Sequence, residues 1–213
     1  MMPIQNDEQL GLRAEIAVLA ARMIAQDGAD YASAKRKAAR QVLGDEQPPP
    51  NMLPDNTQVE DEVRKYQALF QGATQPQRLH ALRTAALQVM DALAEFRPYV
   101  TGPVLSGSAG EHDDIHLQLF ADSAKDVEIF LLNKNVDIEI SEVPHFKGGR
   151  HDPVEVVSFL WHKEGVHAEL YDMNDLRGAL KLRPDGRLQR ADATTLRGLM
   201  AAEQSNPDRQ EPT

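Results

Sequence analysis

The chain contains no cysteine. Disulfides, thiolate zinc centres and cysteine nucleophiles are therefore excluded, while the compartment stays open on this ground. Positive charge is in deficit: 23 Lys and Arg stand against 33 Asp and Glu, for a formal net charge of -10 and a pI near 5.1. A surface this acidic does not bind nucleic acid over its whole extent, although a local basic patch remains available. Long apolar runs are missing as well. No stretch approaches the roughly 20 residues that cross a bilayer, and Met1–Asn6 lacks the basic start and apolar run of a signal peptide. The expectation is a cytoplasmic protein with no membrane contact. Two catalytic signatures are absent too. There is no Gly-x-Gly-x-x-Gly dinucleotide turn, and Ser106-Gly107-Ser108-Ala109-Gly110 is not the Gly-x-Ser-x-Gly elbow of a serine hydrolase.

What is present is the composition of a globular protein. The 213 residues are 41% hydrophobic and 26% charged, enough for one ordinary domain with extensions or for two small ones. The hydrophobic period changes near residue 97. Before it, helical spacing prevails. Leu12, Ile16, Leu19, Ala20 and Met23 predict a helix over about Glu8–Gln26, stopped by Asp27-Gly28. A second helix is expected over Tyr31–Leu43, with Gly44 as its C-cap. Gln47-Pro48-Pro49-Pro50-Asn51 reads as a stiff, extended linker. Asp55-Asn56 offers an N-cap to a third helix striped by Val59, Val63, Tyr66, Leu69 and Phe70. A fourth runs from near Pro76 to about Phe96 and is closed by Pro98.

From Tyr99 onward the period is 2. Strands are predicted at Tyr99–Leu105, Ile115–Phe120, Val136–Ser141, Val154–Trp161 and Val166–Tyr171. A helix over Ser123–Leu132 links the second strand to the third, and a last short helix covers Asp192–Ala202. Side chains two apart on a strand share a face. The apolar set Ile115, Leu117, Leu119, Val166, Ala168 and Leu170 therefore faces helices. The opposite face gathers Asp114, His116, Asp137, Glu139, His167 and Glu169. The plain explanation is that a half-covered sheet needs a polar outer face. The functional explanation requires some of these groups to meet at one point.

One arrangement carries chemistry. The apolar Val104-Leu105 runs into Ser106-Gly107-Ser108, and the next strand opens on Asp114-Ile115-His116. Together with Ala168-Glu169-Leu170, these residues resemble the nucleotidyltransferase superfamily typified by DNA polymerase beta. That family runs a strand into Gly-Ser, places Asp-x-Asp/Glu on the next strand, and adds a third carboxylate on a later one. The resemblance covers roughly residues 99–172. It implies that Gly107 and Ser108 contact phosphate, and that Asp114, His116 and Glu169 form the catalytic and metal-ligating set with His167 as a possible further ligand. The implied cofactor is Mg2+ or Mn2+ and the implied ligand a nucleoside triphosphate. In such sites backbone N–H groups of a tight Gly turn approach the phosphates. Two metal ions about 4 Å apart clamp the attacking and leaving oxygens. The sequence departs from the family pattern where His116 replaces the second carboxylate. The Ser108–Asp114 spacer is only Ala109-Gly110-Glu111-His112-Asp113, with no Arg or Lys for a triphosphate. The implied function is thus a nucleotidyltransferase-like, nucleotide-binding protein whose transferase activity is altered or lost.

Two other readings stand beside it. Asp114, His116, His167 and Glu169 form a mixed imidazole–carboxylate set that suits Zn2+ better than magnesium, against the plain reading of ordinary surface histidines. Lys35, Arg36, Lys37 and Arg40 make one helix locally basic, fit for RNA or an acidic protein partner in a non-catalytic scaffold. The plain reading there is a solvated helix face, and no aromatic residue interleaves it to stack bases. The expected fold class is α+β. An N-terminal helical pair (1–46), a Pro-rich linker (47–54) and a helical segment (55–97) precede a nucleotidyltransferase-like domain (98–203) and a disordered tail (204–213).

Overall fold

The computed structural model describes residues 4–44, 48, 52–179, 182–183 and 185–205. The fold is α+β, with helices at the N-terminus and one five-stranded mixed sheet. The described residues form two compact units. One comprises the chain up to Pro76 with Gly110–His112; the other comprises Gln77–Ala109 and the chain from Asp113 onward. Residues 47 and 49–51 of the Pro-rich linker and the tail beyond Ser205 lie outside the described residues.

In the first unit, α1 (Ile4–Asp27), α2 (Tyr31–Leu43) and α3 (Asn56–Phe70) pack on one another. Their contact is built from Ile16, Ala17, Ala20, Ala21 and Ile24 of α1, Ala34, Ala38 and Ala39 of α2, and Val59 and Val63 of α3. The six alanines let the helix backbones approach closely, while Ile16, Val59 and Val63 supply most of the apolar area, about 1.5–3 kcal/mol for each fully buried side chain. Local chemistry sets the ends. Asp30 accepts the Ser33 N–H at 2.9 Å to start α2. Asp55 and Gln58 form a reciprocal capping box at the start of α3.

The second unit begins with α4 (Gln75–Ala92), whose Leu82, Ala86, Val89 and Met90 share one core with the sheet. The apolar face of α4 is buried against the strands. After a short turn of 3-10 helix at Ala94–Phe96, the chain enters β1 (Tyr99–Thr101), α5 (Gly102–Ser106), β2 (Ile115–Ala121), α6 (Ala124–Asn133), β3 (Glu139–Val143), β4 (Val154–Trp161), β5 (Glu164–Asp172), α7 (Leu176–Ala179) and α8 (Ala193–Gln204). The predicted strand Tyr99–Leu105 ends after three residues. Pro103 has no N–H for a ladder and sits in the first turn of α5, where that group is dispensable. The third strand starts at Glu139 rather than Val136, although Val136 and Ile138 still pack on the main core.

The sheet order is β1-β2-β5-β4-β3, and only the central β2–β5 pair is parallel. Ile115, Leu117, Leu119, Val166, Ala168 and Val157 point into the main core with α4, with Val127 and Leu131 of α6 and with Leu196 of α8. The opposite face is only partly polar. At one end Phe120, Val154 and Tyr171 form a second apolar cluster with Tyr99, Val143 and Phe146. Its polar half is the part left outside that cover, and it holds the groups singled out from the sequence. No described helix is long and apolar enough to cross a membrane.

Candidate functional site at the head of the parallel strands

The register across β1, β2, β5, β4 and β3 aligns Thr101, His116, His167, Ser158 and Glu139 in one row on the polar face. His116 and His167 are direct neighbours across the parallel pair, with ring centroids 5.2 Å apart and planes inclined by 28°. Asp114 precedes β2 and lies above Gly165, which has no side chain to obstruct it. A Cβ at Gly165 would overlap the Asp114 carboxylate. From there Asp114 Oδ2 meets His167 Nε2 at 3.0 Å, and the other ring nitrogen, Nδ1, is 2.9 Å from Ser158 Oγ. The result is a continuous chain, Asp114–His167–Ser158, with His116 stacked against its centre.

The protein packed around His116, and then the neighbouring His167 imidazole, lower the His116 pKa below the ordinary value. Its side chain nonetheless reaches solvent. His167 and Asp114 are half-buried, with 35% and 47% of their side chains exposed, open enough for a ligand to reach their bonded atoms. Arg78 of α4 holds Glu164 with two bonds of 2.6 and 2.7 Å. Glu164 chiefly, with Asp114 and Asp113 adding smaller attractions, raises the Arg78 pKa. A fixed cation thus stands near Asp114.

Glu169 lies one register step further on, opposite Gln118. It accepts from Gln118 Nε2 at 2.9 Å and from the Tyr171 hydroxyl at 2.7 Å. Burial, together with the Glu169 hydrogen bond, raises the Tyr171 pKa and keeps the phenol protonated. Arg190 completes this second network by donating from Nε to Gln118 Oε1 at 2.7 Å while its guanidinium sits 4.8 Å from the Phe146 ring centroid. The residue facing His116 is therefore His167, and the Glu169 carboxylate is engaged in a separate set of hydrogen bonds. Asp137 precedes β3, and Glu139 ends the row on that strand; both are exposed.

Gly107 and Ser108 form the C-terminal cap of α5. Gly107 takes φ +88°, a left-handed conformation that glycine adopts at no steric cost. Ser108 is buried, with its hydroxyl 3.0 Å from that of Ser106. Buried Arg83 fixes the same segment by donating to the carbonyls of Val104 and Leu105 at 2.9 and 3.3 Å. On α2, Arg36, Lys37 and Arg40 are exposed, whereas Lys35 is half-buried and donates to Asn56 Oδ1 at 2.7 Å. The intervening Ala34, Ala38 and Ala39 face inward, so three of the four charges share an outward face.

The donor set at the corner is one carboxylate and two imidazoles. Magnesium favours oxygen, so this set fits magnesium poorly and a first-row transition ion better. Among the described residues no three His, Asp or Glu side chains stand ready-made around a common metal position. A metal would take the place of the proton shared by Asp114 and His167. Reasoning from sequence missed Ser158, Arg78, Glu164 and Gly165. Ser158 carries little signal in sequence, because β4 has apolar residues at both parities and only the strand register sets Ser158 opposite His167. Arg78 carries none, since its partner is 86 residues away.

No family model matches the chain, and no curated protein matches it in sequence.

Proposed function

We propose that the second unit is a nucleotidyltransferase-like, nucleotide-binding domain with altered or lost transferase activity, and that it binds its ligand at the Asp114–His116–His167 corner. The observation that carries this reading is the convergence of Asp114 and His116 on β2 with His167 on β5, at the head of the two parallel strands. The Gly107-Ser108 turn precedes β2, although the segment that runs into it is helix α5 and not the strand of the family pattern. Phosphoryl and nucleotidyl transfer depend on positioning and charge stabilisation, and the chain supplies both. Asp114 is held in place by His167 and by the open space at Gly165. Arg78, tied to Glu164, stands near enough to Asp114 to favour anions at this end of the site. A bound divalent ion would neutralise phosphate charge. Asp114, His116 and His167 are the residues to hold it, and Ser158 fixes the His167 ring through Nδ1.

A second reading, a transition-metal-binding domain without nucleotide chemistry, is favoured by the paired imidazoles. One experiment separates the two. Thermal unfolding is followed with ATP, GTP, CTP and UTP, each with Mg2+ and with Mn2+, and with Mn2+ or Zn2+ alone, beside an Asp114→Ala variant. A ligand at 100 times its dissociation constant stabilises by about 2.7 kcal/mol. Stabilisation by one nucleotide that is lost in Asp114→Ala supports the nucleotide reading. Stabilisation by metal alone, with no further gain from any nucleotide, supports the metal-binding domain. No shift with any of them overturns both.

A further inference from the structure

On the helix-covered side of the sheet, a cavity of about 350 Å3 opens among α4, α6, the segment before β3 and the end of β4 at Trp161. Its floor is Val89, Leu93, Leu131 and Phe159, all buried. Half-buried Phe130, Val136 and Trp161 form the walls, and exposed Ala92 and Lys134 lie at the rim. None of these residues belongs to the Asp114–His116–His167 corner or to its hydrogen-bond partners.

Such a space needs an explanation. Protein interiors close-pack, and voids larger than a water molecule are few. This one is open to solvent at Ala92 and Lys134. Its volume falls at the lower end of the range for small-molecule sites, which are mostly apolar with a few polar groups that fix orientation. Here the charged lining residue is Lys134. Its Nζ stands 5.5 Å from the Phe130 ring centroid, over one wall of the cavity. Among the described residues it has no carboxylate partner. Several other lysines and arginines of this unit are bonded to acidic side chains, among them Arg78 to Glu164, Lys125 to Glu128, Lys147 to Asp175 and Arg197 to Asp91. In a chain of net charge -10, an ammonium left unmatched at the mouth of an apolar cavity is complementary to an anion with an apolar body.

We propose that this cavity binds a small amphiphilic carboxylate, with its apolar chain between Phe130, Phe159 and Trp161 and its head group on Lys134 Nζ. At about 30 Å3 for a water-sized group, the volume accepts an aliphatic chain of roughly ten carbons. Binding there is independent of the nucleotide reading, because it uses a different face of the sheet.

Trp161 is the single tryptophan of the chain and lines the cavity, so its emission reports occupancy directly. The full chain is titrated with decanoate below its micelle concentration, and in parallel with decanol and decyltrimethylammonium. Saturable change with decanoate is expected, with little or none from decyltrimethylammonium. Lys134→Gln should weaken decanoate about tenfold and leave decanol unchanged. Ala92→Phe, which fills the mouth from an exposed position, should abolish both responses while unfolding temperature stays near that of the parent. The proposal is overturned if Trp161 emission does not saturate with any of the three probes. It is equally overturned if Lys134→Gln weakens decanol as much as decanoate, or if Ala92→Phe folds and still binds.

Discussion

Asp114 and Gly165 face each other across the parallel strands β2 and β5, and the Asp114 carboxylate fills the space that any side chain at 165 would occupy. From that position Asp114 bonds His167. The glycine therefore serves the geometry of the corner, because the backbone at 165 does not require glycine's left-handed freedom.

Gly165→Ala should accordingly displace Asp114 from His167. The overlap is with a half-exposed carboxylate that can rotate away, so the stability cost should lie at the low end of the 1–3 kcal/mol typical of overpacking, about 1 kcal/mol. The loss of the Asp114–His167 bond should be complete. Urea unfolding gives the first quantity, and the 15N shifts of the His167 ring nitrogens give the second. Unchanged His167 shifts would show that the carboxylate does not depend on the glycine.

Arg83 is buried with 3% of its side chain exposed, and it bonds the carbonyls of Val104 and Leu105 together with the carboxylate of Glu203. Arg83→Met should cost about 2–4 kcal/mol, since two buried carbonyls lose their charged donor. Arg83→Lys should rescue little, because an ammonium cannot reproduce the guanidinium fork. Denaturant midpoints at constant slope measure both, and a cost for Met below about 1 kcal/mol would mean that water replaces the guanidinium.

The Arg78–Glu164 pair is two-bonded and less than a third exposed on both sides, unlike an ordinary surface ion pair. Arg78→Gln and Glu164→Gln should each destabilise by about 1–2 kcal/mol, and a double-mutant cycle should return a coupling of roughly 1 kcal/mol or more. Additive single effects would reduce the pair to surface decoration. Arg78→Gln should also weaken any anion bound near Asp114.

Asp192 caps α8 by accepting the Thr195 N–H at 2.7 Å. That bond to the charged form lowers its pKa from the ordinary 3.8. The folded pKa lies below the unfolded one, so the stabilisation is present above pH 3.8 and is lost as pH falls through the folded value. Asp192→Ala should cost about 1 kcal/mol near neutral pH, and the gap to the parent should narrow below pH 3. Asp192→Asn keeps a capping oxygen that does not titrate, so its stability should fall less between pH 5 and pH 2. The pH-dependent part is the smaller one because the side chain is exposed and solvent screens it. Equal acid dependence in parent and Asn variant would remove the cap from the account.

Much of the secondary structure was legible because local chemistry fixes it. The second helix runs over Tyr31–Leu43 as its spacing and flanking residues predict, and Asp55 caps the third. The β2 and β5 parities emerge as expected from their alternation. The shortened β1 was legible too, in principle: Gly102-Pro103 breaks a ladder for the reasons any proline does, and the apolar run Val104-Leu105 concealed it. The α4 partnership was not legible, because an apolar helical stripe states that it will be buried and not against what.

The sequence by itself determined the class of fold, the helix caps, and which residues of β2 and β5 share a face, since these follow from backbone periodicity and nearest-neighbour hydrogen bonds. Tertiary structure decided the rest. Strand register put His167, and not Glu169, beside His116. The order β1-β2-β5-β4-β3 brought Ser158 to the His167 ring, and an empty Cβ position at Gly165 admitted Asp114. Packing of α4 and α6 beside the end of β4 left the apolar cavity at Trp161. Most of these join residues far apart along the chain, and all depend on register and packing that no local window of sequence encodes.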